Sequence, residues 1–404
     1  MGAFEAQKRG VLQNAIDELL NPQNEVVRSY VLRLLNAHFF LEASRLDRGT
    51  LDLVGSFSEQ PTFHIFFDTN FLFSVLQLHS NPSNESAKSL MTLLKQLSSR
   101  FRVKLYVLPI TVNEAKRTLA AAEESITTTI TPHLAAAALQ LPQSGLMEKY
   151  LSEAANSPKA LSPTEYFAPY IKDLVTILKQ RGIEVHNGDS EQYRMRTAVT
   201  DDINAQIEHE AEIKKRNQRF RVRDYRQWEH DLVLWHFVHD HRPAVLESPL
   251  SASHWLVSVD YRLLNFSFYK QRQSNESVPV GVHPATFLQM LQFFIPRSPE
   301  FEEAMLGSVR LPFLMREFDG DAERVTLRIL RALSRFENVD DLEEGEIVSV
   351  LTNDALRGKL STSESLPGDE ELQLVRDALI DEHKAERERF EAEVAAAKRA
   401  SELD

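Results

Sequence analysis

Four acidic residues stand where local structure alone has little use for them. Asp68 closes the apolar run His64-Ile65-Phe66-Phe67 in FFDTN, and Asp260 closes Trp255–Val259 in VSVDYRLL. Glu114 follows a strand-like segment and a proline in LPITVNEAKRTL, and Asp231 lies inside WEHDLVLWHFV. If that last segment is a helix, Leu234, Trp235 and Val238 fall three, four and seven residues on, which puts Asp231 on the apolar side. Two buried carboxylates repel each other unless a cation or a shared proton neutralises them. Three or four acidic oxygens gathered at one place suit Mg²⁺ or Mn²⁺, hard cations that keep several waters and accept phosphate oxygens.

Each acid also has a plain structural reading. Asp68 caps a following helix; Glu114 fits the third position of a capping box begun by Thr111. Asp231 pairs with Arg223 or Arg226, and Asp260 is a turn residue. All four being structural at once is a stronger demand than any one alone.

The elements that must position these acids follow from apolar periodicity. His64–Phe67, Lys104–Leu108, Trp255–Val259 and Val278–Val282 read as short buried strands. Helices are expected over Glu85–Arg100, capped by Asn84, over Thr164–Gln180, over Ala285–Phe294 and over Arg324–Phe336. Strands alternating with helices predict an α/β fold, a mainly parallel sheet sandwiched by helices. In such sheets ligands gather at the carboxyl ends of the strands, which is where Asp68 and Asp260 fall. Residues 120–226 read mostly as helix and are too long for a loop, so they form a helical insertion. The expected organisation is an N-terminal helical region (1–60), a central domain (61–295) and a C-terminal helical region (296–404).

Composition narrows the classes. The 404 residues contain no cysteine, which excludes disulfides, thiolate zinc sites, iron–sulfur clusters and cysteine nucleophiles. No apolar stretch approaches the ~18–20 residues needed to cross a bilayer, and the amphipathic start MGAFEAQKRGVLQNAIDELL lacks a signal-peptide core. The expectation is a cytoplasmic protein with no membrane contact. The net charge of −13 does not by itself argue against nucleic acid, because the acids are unevenly placed. Leu366–Asp404 holds twelve acids against six bases, and Asn338–Glu346 holds five acids and no base.

FFDTN after a strand, a Glu in the helix after a strand and proline, a mid-helix Asp, and VSVD followed by VPVGVHPATFLQML together resemble the PIN-domain nucleases. The resemblance spans roughly residues 62–294, interrupted by the helical insertion. It implies that Asp68, Glu114, Asp231 and Asp260 form a metal site for Mg²⁺ or Mn²⁺, with Asp68 and Asp260 as primary ligands. It also puts Asn70 and Ser258 in polar supporting positions, with Asn70 orienting Asp68 or a water on the metal. Downstream of Asp260 many members carry another acid. Here Asn265 stands in that region, either as a neutral ligand or as the mark of a weak second metal. The implied activity is metal-dependent hydrolysis of single-stranded RNA by an endoribonuclease, which needs no serine, cysteine or histidine nucleophile. The alternative is a catalytically weak PIN-like module that binds RNA or organises a complex. The crowded His230, Asp231, His236, His239, Asp240 and His241 would also suit an all-helical metal phosphohydrolase, but the strands count against that.

Just before Asp231, Lys214, Lys215, Arg216, Arg219, Arg221, Arg223 and Arg226 interleave with Phe220, Tyr225 and Trp228. Phosphate attraction with base stacking is how single strands are held without sequence preference. Tyr225 and the seven cations are therefore the expected nucleic-acid surface; a solvated helix face balanced by Glu208, Glu210 and Glu212 is the plain alternative. The C-terminal helix Glu370–Ala400 carries a partial stripe of Leu372, Val375, Leu379 and His383, suited to a regulatory protein partner or a second copy of the chain.

Overall fold

A computed structural model of the chain describes residues 62–79, 83–97, 102–140, 145–157, 161–217, 220–244, 246, 251–274, 278–291, 320–336, 338–362 and 367–401. The N-terminal helical region expected over residues 1–60, and Arg219, lie outside them.

The architecture is α/β and mostly helical, built on a small parallel sheet. Its strands are β1 (Thr62–Phe67), β2 (Arg102–Val107), β3 (Ile183–Val185), β4 (His254–Val257) and β5 (Gly281–Val282). They lie in the order β3-β2-β1-β4-β5, every neighbour parallel. The central strand β1 buries four of its six residues, as suits a strand covered on both faces. Alternation sorts its residues. Phe66 joins Leu256 and Tyr106 on one face, packed with Trp228, Leu232 and Phe237. On the other face, Trp255 meets the Phe287 ring at 5.4 Å.

The first helices are α1 (Thr69–Leu76), α2 (Ser83–Leu97), α3 (Pro109–Thr129), α4 (Pro132–Leu139), α5 (Leu146–Asn156) and α6 (Pro163–Gln180). Next come α7 (Glu191–Arg194), α8 (Thr197–Arg216), α9 (Tyr225–Asp240), α10 (Tyr261–Ser274) and α11 (Pro284–Leu291). After residue 319 follow α12 (Gly320–Leu333), α13 (Glu344–Thr352), α14 (Asp354–Thr362) and α15 (Gly368–Ser401). Among the described residues, no helix is long and apolar enough to cross a membrane.

Two compact units emerge. The first draws its described residues from 62–119, 169–212 and 222–291, and includes the whole sheet; the second draws on 120–168, 213–221 and 320–401. In the second unit, the Glu323 carboxylate accepts the Met147 N–H (2.8 Å) at the start of α5 and is pushed up to about 7 by burial. Arg328 is buried there too, bonded to Glu371 and to the Leu360 carbonyl.

Two local expectations need correcting, and one strand was not expected. Residues 120–226 are mostly helical, as expected, but they also hold the unexpected strand β3; three residues are too short to show a period. Asn84 does not cap α2, which starts one residue earlier; its amide donates to the His79 carbonyl instead (2.6 Å). Glu114 is not the third residue of a capping box, because α3 begins at Pro109 and the Thr111 hydroxyl meets His230 at 3.0 Å.

Candidate active site

The connection from β1 leads to β2 on one side, while β4 lies on the other side of β1. Beyond the carboxyl ends of β1 and β4 the sheet therefore opens a crevice, the switch point of its topology. A cavity of ≈ 160 Å³ lies here, lined by Asp68, Thr69, Asn70, Phe73, Glu114, Thr118, Arg223, Gln227, His230, Asp231 and Asp260. The four expected acids, drawn from four separate segments, thus line one cavity within the first unit.

Asp68 is the N-cap of α1. Its Oδ1 accepts the Phe71 N–H (2.8 Å) and its Oδ2 accepts the Ser258 hydroxyl (2.7 Å). The capping reading of this residue holds, and the same side chain lines the cavity. Only 2% of Asp68 is exposed. Burial pushes its carboxyl up to about 7, against the Ser258 and Phe71 hydrogen bonds and with help from Asp260 and Asp231.

Asp260 plays a similar double role. Its Oδ1 accepts the Arg262 N–H (2.9 Å) and the Leu263 N–H (3.4 Å) at the start of α10. Its Oδ2 accepts from the Asn70 amide (3.3 Å) and from Arg223. Burial alone would raise this carboxyl, but Arg223 and the two backbone N–H groups hold it below the usual range. Asn70 thus orients Asp260, and Ser258 takes the place beside Asp68 that Asn70 was expected to fill.

Glu114 and Asp231 meet through His230, which is 1% exposed. Its Nδ1 lies 3.0 Å from both Glu114 Oε2 and Asp231 Oδ1, and its Nε2 lies 3.0 Å from the Thr111 hydroxyl. Burial opposes a charged imidazole, yet Glu114 and Asp231 outweigh it and push His230 up to about 10. Glu114 is correspondingly lowered: burial raises it, but His230, the Thr69 hydroxyl and Arg117 pull it further down. Asp231 is raised by burial despite Arg223 and His230. Its burial is natural to α9, which is buried nearly all round from Trp228 to Val238.

Arg223 departs from the expected nucleic-acid surface. Its side chain is only 14% exposed, with Nη1 at 2.5 Å from Asp231 Oδ2 and Nη2 on Asp260 Oδ2. Its backbone N–H donates to Glu210 (2.6 Å), and its guanidinium lies 5.0 Å from the Trp228 ring. Two buried carboxylates offer a guanidinium a deeper electrostatic well than solvent does. Of the alternatives Arg223 and Arg226 for Asp231, it is Arg223 that pairs. Burial disfavours its charge, but Asp260 and Asp231 hold it firmly protonated.

The remaining expected binders are divided. Arg226 and Tyr225 (42% exposed) lie on the first turn of α9, in the first unit. Lys214, Lys215, Arg216 and Arg221 belong to the second unit, with Lys215 and Arg216 exposed at the end of α8. Asn265 is exposed on α10 and does not line the cavity, so it supplies no ligand there. Thr69, His230 and the site role of Arg223 were not anticipated; the one sequence signal was the adjacency of His230 to Asp231.

In donor type the cavity fits a hard divalent cation, being lined by four carboxylates and the Asn70 amide. In present arrangement, no group of three or more His, Asp or Glu among the described residues is disposed to hold one, and Asp231 and Asp260 face Arg223 instead. Comparison with protein families, curated proteins and solved structures finds no match for the chain.

Proposed function

We propose that the chain is a metal-dependent endoribonuclease with a PIN-like core, hydrolysing phosphodiester bonds of single-stranded RNA. The carrying observation is the meeting of Asp68, Glu114, Asp231 and Asp260 at the crevice between β1 and β4. Asp68, Asp231 and Asp260 would hold Mg²⁺ or Mn²⁺, with Glu114 as a further ligand or water positioner. A bound cation supplies positive charge for the phosphodiester oxygens and acidifies a water. The chain's own residues do the positioning. Ser258 and the first turn of α1 fix Asp68, His230 fixes Glu114 and Asp231 relative to each other, and Asn70 fixes Asp260. Tyr225 and Arg226, exposed at the start of the helix that carries Asp231, suit a stacked base and a phosphate.

RNA is preferred to DNA only on the family resemblance, and a cytoplasmic setting with a regulatory partner belongs to the same proposal. The second reading, a catalytically weak module that binds RNA or organises a complex, draws on one observation: Arg223 spans two of the four acids. Cleavage of end-labelled single-stranded RNA separates the readings. With Mn²⁺ present, EDTA-sensitive cutting is expected to fall about 10²-fold or more in Asp68→Asn. Cutting that ignores both EDTA and this substitution removes the site assignment, and no cutting by a folded protein favours the second reading.

A further inference from the structure

Arg223 lies on a short stretch, Arg221–Asp224, that is neither helix nor strand and links α8 to α9. It is not adrift there. The buried Glu210 carboxylate accepts the Arg223 backbone N–H through Oε2 and the Arg262 guanidinium through Oε1 (3.0 Å). The Arg262 backbone N–H in turn donates to Asp260. One carboxylate therefore ties the segment carrying Arg223 to the segment carrying Asp260, and the guanidinium forks across Asp231 Oδ2 and Asp260 Oδ2, one nitrogen to each.

From this geometry we infer that Arg223 is a built-in competitor for the divalent cation, so that the site as folded is self-inhibited until the guanidinium leaves Asp231 and Asp260. The inference rests on the metal-dependent reading above and adds to it the site's regulation. The argument is one of shared lone pairs and charge. A small divalent cation needs carboxylate oxygens at ~2.0–2.1 Å, and the Oδ2 atoms of Asp231 and Asp260 are already turned toward guanidinium nitrogens. Two cations cannot share those oxygens without strong repulsion in a buried setting. With His230 between Glu114 and Asp231, and Arg223 between Asp231 and Asp260, the pocket is largely compensated from within the chain. The apparent cation affinity is then the intrinsic affinity scaled by the fraction of molecules in which Arg223 has withdrawn.

Titration of the full chain with Mn²⁺, followed by the paramagnetic resonance signal of the free ion, tests this without reference to activity. Arg223→Gln is expected to bind Mn²⁺ about ten-fold or more tighter than the wild type. The Asp68→Asn change in that background is expected to abolish the gain. Arg117→Gln is the control, since Arg117 is exposed and its field reaches Glu114 without touching Asp231 or Asp260; it is expected to shift affinity less than about three-fold. A folded Arg223→Gln that binds no tighter than a Mn²⁺-binding wild type overturns the inference and leaves the metal reading standing. Absence of Mn²⁺ binding by either protein at millimolar concentration overturns both. If Arg223→Gln does not fold, phenylglyoxal labelling of the wild type gives the answer by mass spectrometry. Arg223 is expected to be protected alone and to label about five-fold faster at saturating Mn²⁺; protection unchanged by saturating Mn²⁺ overturns the inference.

Discussion

The same sheet carries two clusters of titratable side chains and treats them in opposite ways. At the crevice beyond β1 and β4, three of the four carboxylates, Glu114, Asp231 and Asp260, are interleaved with Arg223 and His230, and opposite charges meet in pairs. On the sheet face under α9, His64, His186, His241 and His254 gather with Phe66 and Phe237. The His64 and His254 rings stack at 4.4 Å, and His241 lies 5.5 Å from His254. Here, among the described residues, burial and like-charged neighbours set the titration. Burial first, then Lys104 and neighbouring imidazoles, lowers His64; burial and His241 lower His186. Burial, His64 and the other nearby cations push His254 down to about 3. Groups of opposite sign stabilise each other's charge, while groups of one kind escape repulsion by staying neutral. The first cluster should therefore be fragile to the loss of one partner, and the second to acid.

The sharpest way to break this contrast is to remove Arg223. Arg223→Ala leaves Asp231 and Asp260 facing each other, and a loss of about 3–5 kcal/mol in urea unfolding is expected at neutral pH. Part of it should return when Asp231→Asn is added, and Mn²⁺ should restore more in the variant than in the wild type. A neutral outcome would mean the carboxylates are not held by pairing at all.

His230→Gln comes next, with a loss on the order of 3 kcal/mol. Its pH dependence carries the sign. The folded imidazole is raised from 6.5 to about 10, so its contribution is complete below pH 6.5 and is lost as pH rises through about 10. The gap between wild type and variant should narrow accordingly in unfolding series run from pH 6 to 10.5. A gap that stays constant would show that His230 acts as a neutral spacer.

Asp68→Asn should move stability the other way. A carboxyl raised from 3.8 to about 7 favours the folded state when protonated, and that advantage fades as pH climbs between those values. The variant is expected to be more stable than wild type by on the order of 1–2 kcal/mol at pH 8 and equal to it near pH 4. Destabilisation at pH 8 would mean that Ser258 and Phe71 already satisfy the charged form.

The smallest effect belongs to the histidine face. His254 is depressed from 6.5 to about 3, so wild-type stability should drop as pH falls through that window, where the unfolded chain takes a proton that the folded one refuses. His254→Phe should lessen this acid sensitivity by about 1 kcal/mol at pH 5, measured by thermal unfolding. An unchanged acid limb would place the acid lability elsewhere.

The parts of this molecule that were legible beforehand are those written as local patterns. The four strands found by inspection were short apolar runs, and each lies within one or two residues of its expected start or end, apart from β5, which keeps only Gly281–Val282. Asp68 and Asp260 were placed by the rule that strand ends carry ligands, and both line the cavity. β3 was missed because its three residues are embedded among helical ones. Arg223 had two readings, a partner for Asp231 and a surface cation for nucleic acid; the first holds, and its second partner, Asp260, had no signal. Asp260 lies 37 residues from Arg223, and no periodicity links positions so spaced. His230 reaches Thr111 across 119 residues, a distance at which sequence adjacency to Asp231 says nothing.

The order of residues alone settled where polar groups interrupt apolar runs, because alternation and helical repeat are properties of consecutive side chains. It thereby delivered the acids to the edge of a parallel sheet. Which partner meets each acid was decided only when α3, α9 and the links before α9 and α10 closed around that edge. Coulomb attraction depends on distance through space and on the water excluded between charges, and neither quantity exists until distant segments are packed together.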